Sequence, residues 1–202
     1  MTERAPVFDQ IIADYLQQVA ALDNGDRLSC TLGIAKTQNG FTVPLFNQSI
    51  TVTPDGIFDE KKAPPSHSAS VLACKYLLLC PDTPQTDHTL VTYKDFKDAA
   101  LYVGGFKNTV EIPIARAFSG RLDRLEAACL ALGGRPFDTD VSCQLAYEFQ
   151  ALPRVPVVLI FHDADEDFPA QCTVLLCKNA AGYLDMECLA MIGGILAHRL
   201  QD

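Results

Sequence analysis

His162, Asp163, Asp165, Glu166 and Asp167 crowd into six consecutive positions. Four carboxylates this close repel one another. A hard divalent cation such as Mg²⁺ or Ca²⁺, which prefers oxygen ligands, would relieve that repulsion. The imidazole at one end widens the choice to Zn²⁺, Mn²⁺ or Fe²⁺, or supplies an acid–base group. The spacing is not that of an EF-hand loop. The candidate metal ligands are therefore His162, Asp163, Asp165 and Glu166, and the candidate ligand- or partner-contact residues are Asp163, Asp165, Glu166 and Asp167. Two plainer readings stand beside these. The acids form a solvated tip that discourages edge-to-edge strand pairing, or a carboxylate caps backbone amides or pairs with Arg154 or Arg116.

Two apolar runs, Val155–Phe161 and Cys172–Cys177, flank the acids. Each is rich in Val, Leu and Ile and too short for a typical helix, so each reads as a buried strand. Pro153 and Pro156 suit a strand start and argue against a helix. Residues 152–177 therefore predict a β-hairpin with its acids at the bend. Phe168, directly after them, is expected to fold back onto the core as a lid.

Other sources of chemistry are weaker. The eight cysteines include no C-x-x-C pair, and most sit in apolar runs, where Cys behaves as a small hydrophobe. Cys143 or Cys172 with His162 could form a thiol–imidazole pair, but nothing local signals an activated thiol. Gly104-Gly105 and Gly133-Gly134 match neither nucleotide-binding glycine pattern, so no nucleotide signature is present. Gly193-Gly194 falls mid-helix and predicts close packing against a neighbour. No iron–sulfur signature is present; a divalent metal is the only cofactor the residues suggest.

The chain of 202 residues is 49% apolar with a net charge of −9. It can bury a single core. Its charge argues against nucleic-acid partners and anionic membranes. No long apolar span and no basic-then-apolar leader is present, so the expected location is cytoplasmic.

Periodicity places the remaining elements. Val7–Leu22 predicts a helix with one apolar stripe, ended near Asn24 or Gly25 by a left-handed residue. Arg27–Asp55 alternates and predicts an antiparallel meander, with Gln38-Asn39-Gly40 supplying positive φ at a hairpin turn. Ser68–Leu79, capped by Ser66 or Ser68, is apolar almost all round and predicts a central helix. Leu90–Tyr93 is a short strand, and Phe96–Phe106 is turn-like. Glu111–Leu132 predicts one long helix, with Pro113 in its first turn, a kink at Ser119-Gly120 and a stop at Gly133-Gly134. Val141–Phe149 predicts a strand. Leu184–Leu200 predicts the last helix, with His198 and Arg199 at the negative end of its dipole. This order lacks regular β-α-β alternation. It predicts one α+β domain over residues 1–202, a helix plus meander in 1–60 and helices plus the acidic hairpin in 61–202. The sheet is expected to be mostly antiparallel, covered on one face by about four helices.

Three stretches together resemble a prokaryotic family, the domain of unknown function 3786. They are Leu90–Phe106 (LVTYKDFKDAALYVGGF) running into Glu111–Phe118 (EIPIARAF), Ala131–Pro136 (ALGGRP) with Asp140 behind it, and Leu152–Pro169 continued by Tyr183–Glu187 (YLDME). The resemblance covers roughly the last 110 residues well and the first part more loosely. It implies a cytoplasmic module of anaerobes, some relatives of which join an iron–sulfur domain. His162 stands where the family's pattern has an aromatic residue, and Cys177 where it has an acidic one. The family brings no established activity. The favoured expectation is a non-enzymatic module that binds a protein or small-molecule partner. A metal-dependent enzyme centred on the acids, and a homodimer formed through the C-terminal helix, are the alternatives.

Overall fold

The computed structural model describes the backbone from residue 6 onward and side chains from residue 8. Pro6–Ala20 (α1) is the expected first helix. Asn24, at φ 63°, takes the left-handed conformation but stands at the entry to a second helix, Gly25–Leu32 (α2). Here the expected strand is corrected. Leu28 and Leu32 alternate with Ser29 and Thr31, yet Leu28, Thr31 and Leu32 also lie at helical spacing. All three are buried on one helical face. Gly33, at φ 70°, ends the helix, and its N–H donates to the Ser29 carbonyl.

The meander is real but starts later. Ala35–Thr37 (β1), Gly40–Leu45 (β2), Gln48–Thr53 (β3) and Gly56–Phe58 (β4) pair antiparallel in sequence order. The β1–β2 turn does not use positive φ, contrary to expectation. Gly40 is required for a different reason: a Cβ there would collide with the Val52 carbonyl oxygen.

His67–Leu78 (α3) is capped by the Ser66 hydroxyl, which accepts from the Ala69 amide, and it is buried through the middle of the fold as predicted. Leu90–Thr92 (β5) follows. Phe96–Phe106, read as turn-like, ends in a helical segment, Val103–Phe106 (α4). A π-turn over Lys107–Glu111 leads from it into Ile112–Phe118 (α5). Pro113 explains the widening: it lacks an N–H, and its ring would strike the carbonyl four residues back in a regular helix. Gly193 accepts the bulge, since a Cβ there would sit 2.6 Å from the Phe106 ring and 3.0 Å from Val110. Gly194 next to it faces open space.

The long helix expected after Glu111 is two helices. Ser119-Gly120-Arg121 breaks it, with Gly120 at φ 67°, before Leu122–Ala131 (α6). Gly133, at φ 83°, stops α6 as expected. An unforeseen short strand, Arg135–Pro136 (β6), comes next. Leu145–Leu152 (β7) begins four residues later than predicted. Val155–His162 (β8) and Gln171–Cys177 (β9) form the hairpin, and Met186–Gln201 (α7) closes the chain, with Asp185 capping it through the Cys188 amide.

The antiparallel α+β architecture is as expected, and among the described residues its strands divide into two sheets. Their orders are β1-β2-β3-β4 and β5-β9-β8-β7-β6. Among the described residues six helical units pack with them, counting Val103–Phe118 as one, where about four were expected. One apolar core joins the layers into a single α+β domain. The junction of the sheets is specific. Phe46, at φ 55°, donates its N–H to the Ala151 carbonyl and meets the Phe149 ring edge-on. Arg199 of α7 bolts down the same place, donating to the Leu45 carbonyl and the Gln48 side chain with its guanidinium over Phe46.

The apolar side of α7, including Cys188, Ile192 and Leu196, lies inside this core. Cys74, Cys129, Cys172, Cys177 and Cys188 are buried free thiols, as the apolar context of their runs implied. Burial pushes Cys74 and Cys129 up to about 12, so neither is an activated nucleophile at neutral pH. Among the described residues, no helix is long and apolar enough to cross a membrane.

Candidate functional site

β8 and β9 pair from Val157↔Leu176 through His162↔Gln171, so residues 163–170 form the bend. The paired strands hold it from both sides: alternate residues of each, such as Val157, Leu159, Phe161, Cys172 and Val174, point into the core. The acids therefore do arrive together at one tip. They are not equivalent there.

Asp163 is turned inward along the surface. Its Oδ1 accepts the Gly120 amide at 2.7 Å and the Ala164 amide at 2.8 Å. The carboxylate thus clasps the α5–α6 corner, where the chain turns with positive φ and the Gly120 N–H is free of helix pairing. Asp163 is seated by its own amide, which donates to the Gln144 side chain at 3.1 Å. Asp165 closes the bend. Its Oδ1 accepts from the amides of Asp167 (2.9 Å) and Phe168 (2.7 Å), and its own amide donates to the Phe168 carbonyl. Aspartate suits this place because its short side chain can bond its neighbours' backbone and replace a turn hydrogen bond.

Glu166 and Asp167 use neither carboxylate in a hydrogen bond or ion pair among the described residues, and both are exposed. Phe168 corrects the lid expectation: it is 64% exposed. The two Asp165 bonds set its backbone at the outer side of the bend. Arg154 does not pair with any of these acids. Its Nε and Nη2 donate instead to the Thr31 and Cys30 carbonyls, at the C-terminal end of α2, where a cation is favoured. His162 stays at the end of β8 opposite Gln171. Among the described residues, no three His, Cys, Asp or Glu side chains are grouped closely enough to hold a metal ion together.

One further carboxylate matters that no motif in the sequence marks. Glu111 ends the π-turn and is half-buried in a cleft shared with Tyr93, Lys94 and Lys107. Its Oε1 accepts the Val174 amide at 3.1 Å, at the part of β9 that extends past β5. Burial raises its pKa above the ordinary glutamate value, partly offset by that amide and by the two lysines. The available signal was a lone acid inside the apolar run Val110–Ile114.

No curated protein and no solved structure matches the chain. A family model does, under the description Domain of unknown function (DUF3786), over residues 26–199. The match reaches beyond the C-terminal stretches that carry the resemblance, taking in the first sheet and nearly all of α2. With the fold, the hairpin and most of the chain covered, the protein belongs to this family.

Proposed function

We propose that this chain is a non-enzymatic binding module that docks onto a partner protein through the outward half of its acidic tip. The observation that carries this is the division of labour at the bend. Asp163 and Asp165 are committed to backbone amides. Glu166, Asp167 and the 64%-exposed Phe168 are left facing solvent on a pinned loop. An aromatic ring held outward on an ordered, charged loop is suited to anchor a partner, because aromatics buried at interfaces supply much of the binding energy. The charge selects the partner's chemistry: a basic rim around an apolar pocket, giving association that weakens with salt.

The test is co-purification from the native host, prepared without oxygen. The wild-type chain is compared with a Glu166→Lys, Asp167→Lys, Phe168→Ala variant. One basic protein retained by the wild type at low salt and lost with the variant supports the proposal. Equal retention by both, or none by either, refutes it. Elemental analysis of the same preparation addresses the metal alternative: stoichiometric metal that Asp165→Asn removes would favour a metal-dependent activity at the tip.

A further inference from the structure

At the other end of the same strands, a cleft of about 370 Å³ opens between the loop preceding β5 and the β7–β8 turn. The volume is in the range of small-molecule sites, roughly 300–1,000 Å³. The 85–89 loop is strapped across its rim. The Gln85 amide donates to the Tyr183 hydroxyl, and the amides of Lys178 and Asn179 donate to the Thr89 and Asp87 carbonyls. Gly182 lets the strap come close, since a Cβ there would lie 2.5 Å from Gln85 Cγ.

Asn179 lines this cleft and is only 6% exposed. Its Nδ2 donates to the Gln85 carbonyl at 3.5 Å and lies 3.4 Å from His88 Nδ1. Its Oδ1 is buried with no hydrogen-bond partner. A buried acceptor without a donor is rare in folded proteins and marks a place where a donor belongs. Glu148 enters the cleft from the outward side of β7. Among the described residues it forms no hydrogen bond and no ion pair, although Arg135 stands across from it in the ladder. The other cation present, Arg154, has its Nε and Nη2 committed to the end of α2. Pro153 and Pro156 supply apolar walls.

An orphan carbonyl oxygen, an uncommitted carboxylate and an apolar wall call for a positive hydrogen-bond donor with a short apolar body. We infer that the cleft bounded by Asn179, Glu148 and Tyr183 binds a small organic ammonium ion. Glu148 neutralises the charge, Asn179 Oδ1 accepts one N–H, and Pro153 and Pro156 hold the carbon chain. His88 is exposed and touches Asn179 through one contact, at Nδ2, which leaves Oδ1 to the ligand. This site is separate from the acidic tip and does not depend on the docking proposal.

The test is a titration of the ¹⁵N-labelled protein with n-butylammonium chloride at constant ionic strength, with sodium butyrate as the matched control. The expected result is saturable shifts confined to the amides of residues 85–88, 148–150 and 179–183. The same shifts should need at least fivefold more ligand in Glu148→Gln, a surface replacement whose dispersed spectrum verifies its fold. Butyrate should give no saturation there. Shifts that spread over the acidic surface without saturating, an unchanged response in Glu148→Gln, or preferential binding of butyrate would each overturn the inference.

Discussion

Asp163→Ala separates a structural carboxylate from a merely acidic tip. The side chain accepts two amides, from Gly120 and Ala164, in exposed surroundings. A typical intramolecular hydrogen bond contributes about 0.5–1.5 kcal/mol, and water can replace the lost acceptor here, so the expected total loss is about 1 kcal/mol. Relief of repulsion from the neighbouring acids subtracts a few tenths at most, as exposed charge pairs do. For a chain of this length, 1 kcal/mol lowers Tm by roughly 2–4 °C. Asp163→Asn keeps one acceptor oxygen and should recover most of the loss. Glu166→Ala and Asp167→Ala remove no bond and should stay within about 0.5 kcal/mol of wild type. Thermal and urea melts give the stabilities, and amide hydrogen exchange at Gly120 gives the local effect, which should accelerate in Asp163→Ala alone. Equal melting of Asp163→Ala and Glu166→Ala, with Gly120 exchange unchanged, would refute the clasp.

Three further outcomes follow from the packing and electrostatics. Gly193→Ala should destabilise by about 1–3 kcal/mol through overpacking, because its Cβ meets Phe106 and Val110. Gly194→Ala, one residue on in open helix surface, should stabilise by roughly 0.5–1 kcal/mol, and parallel urea melts compare the two. Burial raises the Glu111 pKa above its unfolded value, so the folded state favours the protonated form. Its contribution to stability is therefore fullest below the ordinary glutamate range and is lost as pH rises through the folded pKa. Glu111→Gln should accordingly be more stable relative to wild type at pH 7 than at pH 4. Asp185 runs the other way. Burial works to raise its pKa, but the Cys188 amide and the Lys75 ammonium outweigh this and hold it low. Its stabilisation is present above the ordinary aspartate range and lost as pH falls through the folded pKa. Asp185→Ala should cost about 1 kcal/mol at pH 7, the usual loss for a helix cap, and less at pH 3, as acid-limb melts would register.

The hairpin was legible because its strands are short, continuous apolar runs bounded by prolines and acids, a pattern with few other solutions. The buried α3 was legible from its all-round apolarity and its Ser66 cap. α2 was not, because its eight residues fit two periods at once: Leu28, Cys30 and Leu32 share one side of a strand, while Leu28, Thr31 and Leu32 share one side of a helix. The Arg154 guanidinium and the Tyr76 hydroxyl on its last carbonyls, with the left-handed Gly33, hold it as a helix. The break at Gly120 was suggested as a kink, but Asp163, which accepts its amide, lies 43 positions away in sequence. The outward Phe168 was misjudged because local sequence cannot reveal that Asp165 spends its side chain on the Phe168 amide. The Asn179 and Glu148 cleft was invisible for a similar reason: three distant segments build it, and no motif joins them.

The claim that Phe168 and its neighbouring acids face a partner is tested most directly by photo-crosslinking in the native host. A benzophenone amino acid placed at position 168 is compared with one at Leu101, which is 92% exposed but lies outside the tip. One discrete adduct with a basic protein is expected from position 168, weakened by high salt, and none from position 101. No adduct from position 168, or the same adducts from both positions, would contradict it.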